Sequence, residues 1–200
     1  LYRGRLKQAL IKVAYPIEDL VGFLPGDPLD FSLLTKTKQG KDFSIRPYQK
    51  DAINSFVNSG DGSRSGIVVL PSGAGKTVVG MGVMEQIREN TLIITTGTVA
   101  VRQWIRELVD KSSLDPSSIG EYTGDSKEIL PVTVSTYQVL TYSPRRKQST
   151  DDGMKDMPIE ENLQLTEVDA TEKYPHLDVF RARNWGIIIY DEVHLLPAPV

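Results

Sequence analysis

The segment Pro71-Ser72-Gly73-Ala74-Gly75-Lys76-Thr77 packs two glycines, a lysine and hydroxyl groups into seven positions. That combination suits a polyphosphate. Glycine lets the backbone curl so that successive N–H groups converge on one phosphate. A helix beginning here would add the positive end of its dipole. Lys76 would set an ammonium between the β- and γ-phosphates, and Thr77 would offer its hydroxyl to Mg²⁺. The apolar run Ile67, Val68, Val69, Leu70 comes directly before the segment, and Val79, Val83 and Ile87 follow at helical spacing. This is the strand–loop–helix setting such a loop requires. The general pattern G-x-x-x-x-G-K-[ST] calls for glycine where Leu70 stands. Read alone, Gly-Lys-Thr is also a glycine-rich turn with a solvated lysine.

A second group sits far downstream, where Ile187-Ile188-Ile189-Tyr190 runs into Asp191-Glu192-Val193-His194. Carboxylates at the C-terminal end of a buried parallel strand lie where α/β folds place ligand chemistry. Asp191 would hold Mg²⁺ through water, because Mg²⁺ keeps much of its hydration shell. Glu192 would orient and deprotonate an attacking water. Taken singly, the pair also reads as a strand cap and the start of a turn before Pro197. Together with an upstream phosphate loop, it reads as the second half of an ATPase site.

Positioning both groups at one place requires a particular set of elements. Four short apolar runs, at 67–70, 92–94, 132–134 and 187–190, are rich in Val and Ile and do not alternate. Strands covered on both faces of a parallel sheet look like this. Helical stretches lie between them. The clearest carries Val101, Trp104, Ile105, Leu108 and Val109 on one face. Another starts at Pro47, a residue suited to a first helical position, and presents Ile53, Phe56 and Val57. The alternation predicts an α/β fold with a mainly parallel sheet flanked by helices, and no internal repeat is present. Upstream, Leu6, Ala9, Leu10 and Val13 share a helical period. Residues 15–41, with Pro16, Pro25, Gly26, Pro28 and Gly40, read as a connector around a short segment at 18–24. Residues 1–41 are therefore expected to be the tail of an upstream accessory region and a linker, and residues 42–200 the main lobe. Residues 143–172 break the rhythm and read as a polar, solvated insertion.

Charge and composition narrow the class. The chain has 200 residues with a net charge of −3. Residues 151–172 hold eight acids against one base, Lys155, so the remainder carries 22 bases and 18 acids. That balance permits a phosphate-backbone partner. Cysteine is absent, which excludes disulfide frameworks, cysteine-based zinc sites and cysteine nucleophiles and fits a cytoplasmic setting. No apolar run approaches the roughly 18 residues a membrane span needs.

These motifs resemble superfamily 2 helicases, and specifically the XPB group in its prokaryotic form. Asp191-Glu192-Val193-His194 is similar to a DExH box, and Val69 through Thr77 to the family's motif I. Ile45-Arg46-Pro47-Tyr48-Gln49 looks like the leading motif of several branches. Thr98-Val99-Ala100-Val101-Arg102-Gln103-Trp104 looks like motif Ia. Tyr122-Thr123-Gly124 and Ser135-Thr136-Tyr137 resemble the next two DNA-facing motifs, and Leu195-Leu196-Pro197-Ala198-Pro199 adds to the likeness. The group tolerates an apolar residue at the position of Leu70. The resemblance implies a first RecA-like lobe of a P-loop NTPase, incomplete at its C-terminus and truncated after motif II. It implies Mg²⁺ and ATP as cofactors, with Pro71, Ser72, Gly73, Ala74, Gly75, Lys76 and Thr77 on the phosphates and Arg46 and Gln49 at the base side. Lys76, Asp191 and Glu192 would be catalytic, Thr77 and Asp191 would be the metal residues, and His194 would couple the site to DNA. Thr98, Arg102, Thr123, Gly124 and Thr136 would face the DNA backbone. A second RecA-like lobe, DNA, and a nuclease or a transcription or repair protein would be partners. The 200 residues alone would then turn ATP over hardly at all.

The residues themselves also admit plainer readings. Thr98 suits a helix N-cap, Gly124-Asp125 a turn and Trp104 a core position. Gln49 near a helix start reads as solvated, and His194 and His176 as structural histidines. Two other outputs stay open beside a helicase: a duplex translocase that does not unwind, and a nucleotide-gated binding module. An intact Glu192 speaks against the module, since a pure switch needs no general base.

Overall fold

The computed structural model describes residues 25–58, 65–143 and 174–193. Within them, helix α1 (Pro47–Val57) precedes helix α2 (Lys76–Ile87), strand β1 (Thr91–Thr95) and helix α3 (Thr98–Lys111). Strand β2 (Ile119–Tyr122), strand β3 (Val132–Thr136), the one-turn helix α4 (Tyr137–Leu140) and strand β4 (Ile187–Tyr190) follow. The four strands form one sheet in the order β2-β3-β1-β4, with every pairing parallel. This is the α/β class the sequence predicts.

The parallel arrangement has one consequence that matters for chemistry. All four strands end on the same edge of the sheet, so Thr95, Tyr122, Thr136 and Tyr190 exit together. In register, Ile94 lies beside Ser135 on one side and Tyr190 on the other. The central strand β1 is fully buried, as is β3. Fully burying one aliphatic side chain is worth about 1.5–3 kcal/mol. Leu92, Ile93 and Ile94, each 0% exposed, therefore anchor a strand of only five residues.

Helix α3 follows its predicted stripe, with Val101, Trp104 and Leu108 turned inward. Pro47 opens α1 as expected, and Ile53 on that helix is buried. Helix α2 buries Val79, Met81, Gly82, Val83 and Met84, so it is enclosed on more than the one face its spacing predicts.

Three expectations are corrected. Residues 67–70 form no strand, and Ile67 and Val69 are 82% and 86% exposed. An apolar run favours a buried strand, but a ladder partner is needed, and these residues pair with none of the four strands. Strand β4 lies at the end of the sheet order and leaves Ile188 and Tyr190 exposed, so it is not covered on both faces. Residues 25–41 are more than a connector. Leu29 and Phe31 join the main core cluster, and isolated bridges tie Pro28 to Glu89, Leu33 to Ser112 and Lys36 to Asp42. Strand β2 carries little apolar sequence of its own, and its burial comes from its neighbours rather than from its pattern. The 18–24 segment, the 1–14 helical stripe and nearly all of the 143–172 insertion lie outside the described residues.

Candidate functional site

The phosphate loop is shaped by two glycines in left-handed conformation, Gly73 at φ 76° and Gly75 at φ 79°. Only glycine adopts that backbone without strain. Gly75 caps α2, so the N–H groups of Lys76 and Thr77 fall in the first turn of the helix, where no intrahelical acceptor exists. They are free to meet an anion together with the helix dipole. Beneath the loop, the carbonyl of Ala74 accepts hydrogen bonds from Tyr48 Oη at 2.8 Å and Gln49 Nε2 at 2.9 Å. Gln49 Oε1 accepts from the Arg46 backbone N–H at 2.9 Å, and Arg46 donates to Tyr48 Oη at 3.2 Å. Gln49 is 3% exposed, which corrects the solvated reading. The start of α1 thus acts as a rail that holds the loop's curl. Tyr48 is a further residue of this support. An aromatic in the first turn beside Gln49 was the available signal.

Asp191 continues the β4 ladder, its N–H donating to the Ile94 carbonyl at 2.9 Å. Glu192 follows at φ 53°, a region costly for a non-glycine residue, and its carboxylate meets Lys76 Nζ at 2.6 Å. The fold therefore unites the two groups that the sequence holds far apart. The hydrogen bond to Glu192 raises the Lys76 pKa above its ordinary 10.5. Burial pulls the other way, and the charges of Glu192 and Asp191 add to the rise. Asp191 is held twice more. Trp104 Nε1 donates to Asp191 Oδ2 at 2.8 Å, and Tyr137 Oη donates to the Asp191 carbonyl at 2.9 Å. Burial, followed by the nearby Asp191 charge, pushes the Tyr137 phenol up to about 12. Trp104 is core, as read, at 2% exposure, but its indole N–H faces the carboxylate.

The oxygen donors available here, the Thr77 hydroxyl and the Asp191 carboxylate, suit Mg²⁺. Among the described residues, no cluster of three or more His, Cys, Asp and Glu side chains could hold a metal alone.

The residues expected to face DNA divide. Thr98, Arg102 and Gly124 are exposed. Thr98 is the first helical residue of α3, and Gly97 rather than Thr98 is its cap. Thr123 and Thr136 are 0% and 2% exposed. Thr123 Oγ1 donates to Glu121 Oε1 at 2.9 Å, and Thr136 Oγ1 accepts from the Val139 N–H at 3.3 Å as the cap of α4. Their hydroxyls are engaged within the fold at the strand ends. Gly124 lies in a bend, in keeping with its turn reading. His176 is satisfied, with Nδ1 at 3.0 Å from Tyr122 Oη. His194 lies outside the described residues. No helix among the described residues is long and apolar enough to cross a membrane.

Residues 42–199 match the family described as "Type III restriction enzyme, res subunit". The chain is 46% identical over 198 residues to the "DNA 3'-5' helicase XPB" of Kineococcus radiotolerans, covering 99% of this chain and 29% of that one. It is 44% identical over 198 residues to the protein of the same name in Mycobacterium tuberculosis, covering 99% and 30%. Identity to the "General transcription and DNA repair factor IIH helicase/translocase subunit XPB" of Schizosaccharomyces pombe is 30% over 202 residues, covering 96% and 21%. The chain therefore spans less than a third of the length of these curated relatives.

Proposed function

We propose that this chain, which belongs to the family described as "Type III restriction enzyme, res subunit", is the first RecA-like lobe of an XPB-type superfamily 2 DNA motor driven by ATP hydrolysis. The observation that supports this most is the 2.6 Å approach of Glu192 to Lys76. It brings an acid–base group and a phosphate-binding ammonium to one edge of a parallel sheet.

In this reading the loop N–H groups and Lys76 grip the β- and γ-phosphates, and Glu192 accepts the proton of the attacking water. Arg46 and Gln49 support the loop from the base side. Thr77 and Asp191 hold Mg²⁺, which neutralises charge on the phosphates when bound. Thr98, Arg102 and Gly124, all exposed, contact the DNA backbone through charge and backbone N–H groups, so binding is independent of sequence and sensitive to salt. His194 couples the two regions. A second lobe closes on the nucleotide, and its arginine adds a factor of about 10³–10⁵ to turnover. The setting is cytoplasmic, and the partners are DNA and a protein of repair or transcription.

The test is ATP hydrolysis by the full-length protein, with and without DNA, at low and high salt, beside Lys76→Ala. Turnover that DNA stimulates and Lys76→Ala abolishes is the expected result. Hydrolysis indifferent to DNA would shift the reading to a nucleotide-gated binding module. Strand displacement run beside triplex displacement then separates unwinding from translocation on duplex.

A further inference from the structure

Asp191 is gripped by two aromatic side chains that come from different elements. Trp104 sits on the second turn of α3, on the same helix as the exposed Thr98 and Arg102. Its indole N–H meets the carboxylate oxygen Oδ2 at 2.8 Å. Tyr137 opens α4, immediately after the Thr136 cap at the end of β3. Its hydroxyl meets the backbone carbonyl of the same Asp191 at 2.9 Å, and its ring stacks on Tyr190 with centroids 6.4 Å apart and planes 11° apart.

Trp104 is also fixed from behind. It is 2% exposed, and a Cβ placed on Gly80 of α2 would lie 2.7 Å from its ring. Gly80 is one turn along the helix that begins with Lys76 and Thr77. The indole therefore touches the phosphate-loop helix on one side and the carboxylate on the other. A buried tryptophan needs a partner for its N–H, but a backbone carbonyl would serve. Here the partner is the residue proposed to hold the metal.

We propose that Trp104 is a positioning residue for Asp191, assisted by Tyr137. Together they orient the metal-holding carboxylate, and Trp104 makes it move with the helix that carries the exposed Thr98 and Arg102. This rests on the helicase reading for the role of Asp191 and for the DNA-facing assignment. Groups that orient a metal ligand from outside the coordination shell change affinity by about 10–100-fold when removed.

The experiment uses the full-length protein and a fluorescent, non-hydrolysable ATP analogue. The readout is the Mg²⁺ concentration that half-saturates its binding, with and without DNA. Trp104→Phe keeps an aromatic ring and loses the donor, together with the part of the indole that packs on Gly80. It is expected to raise the Mg²⁺ midpoint about 10-fold, to leave binding in EDTA unchanged, and to shrink the effect of DNA on that midpoint. Tyr137→Phe keeps the stacked ring and loses the hydroxyl, with an expected rise of about 3-fold, since it holds the carbonyl rather than the carboxylate. A purely structural role would lower thermal stability and leave the Mg²⁺ midpoint in place. Midpoints within twofold of the parent in folded Trp104→Phe overturn the proposal. If that variant does not fold, the same outcome in Tyr137→Phe overturns it. Failure of the helicase reading is seen separately, as parent protein whose hydrolysis ignores DNA.

Discussion

Lys76 cannot serve a phosphate and Glu192 fully at once, so a polyphosphate entering the loop competes with an ion pair at 2.6 Å. Both side chains are about one-third exposed, and pairs in such settings are worth about 0–1 kcal/mol. Glu192→Gln should therefore tighten ATP binding by no more than about fivefold. The same change should slow single-turnover hydrolysis by about 10²–10⁴, the usual contribution of a general base. Binding by fluorescence and turnover by rapid quench separate the two effects. A second residue-scale expectation concerns His176. Burial, followed by the Lys127 charge, lowers its pKa below 6.5. The unfolded chain then takes up a proton more readily than the folded one as pH falls through 6.5, so stability present above that value is lost below it. The melting temperature should drop between pH 7 and 5, and His176→Asn should flatten that drop.

At the scale of elements, α2 and α3 approach so closely that one methyl group matters. Alanine is the better helix former by about 1 kcal/mol, yet a Cβ at Gly80 would press on a Trp104 ring that has little room to retreat. Overpacking of a core costs about 1–3 kcal/mol. Gly80→Ala should therefore destabilise by up to about 2 kcal/mol, read as a lower denaturant midpoint with an unchanged slope. The β4 edge and the exposed Ile67 and Val69 give a different expectation. Exposed apolar residues invite association, and so does a strand edge that no other strand among the described residues pairs. The 200 residues alone should self-associate with rising concentration. Lysine at positions 67 and 69 should raise the concentration at which light scattering begins.

For the whole molecule, the site is built along one edge of a parallel sheet, and the proposed motor needs a second lobe to close over it. The isolated 200 residues should bind ATP weakly and hydrolyse it hardly at all. A longer protein containing the second lobe should show DNA-stimulated, Lys76-dependent turnover. Steady-state hydrolysis of the two side by side is the check, and rapid turnover by the short chain would refute the two-lobe mechanism.

The α/β class, helices α1, α2 and α3 and the pairing of a phosphate loop with an acidic pair were all legible before any coordinates. The physical reason is that each rests on local rules. Helical stripes have a period, proline opens helices, glycines permit a curled loop, and carboxylates following an apolar run mark a strand end. Tertiary structure alone decided the rest, because each remaining feature depends on what lies across the fold. Residues 67–70 had the composition of a strand but no ladder partner. Strand β2 had a partner but no strand-like composition. Thr123 and Thr136 carried the right side chains but turned them inward, and Gln49, expected in water, became the support of the loop. The hydrogen bond from Trp104 to Asp191 joins residues 87 positions apart. An apolar stripe marks Trp104 as core, but only the packing of α3 on the sheet determines where its one polar atom points.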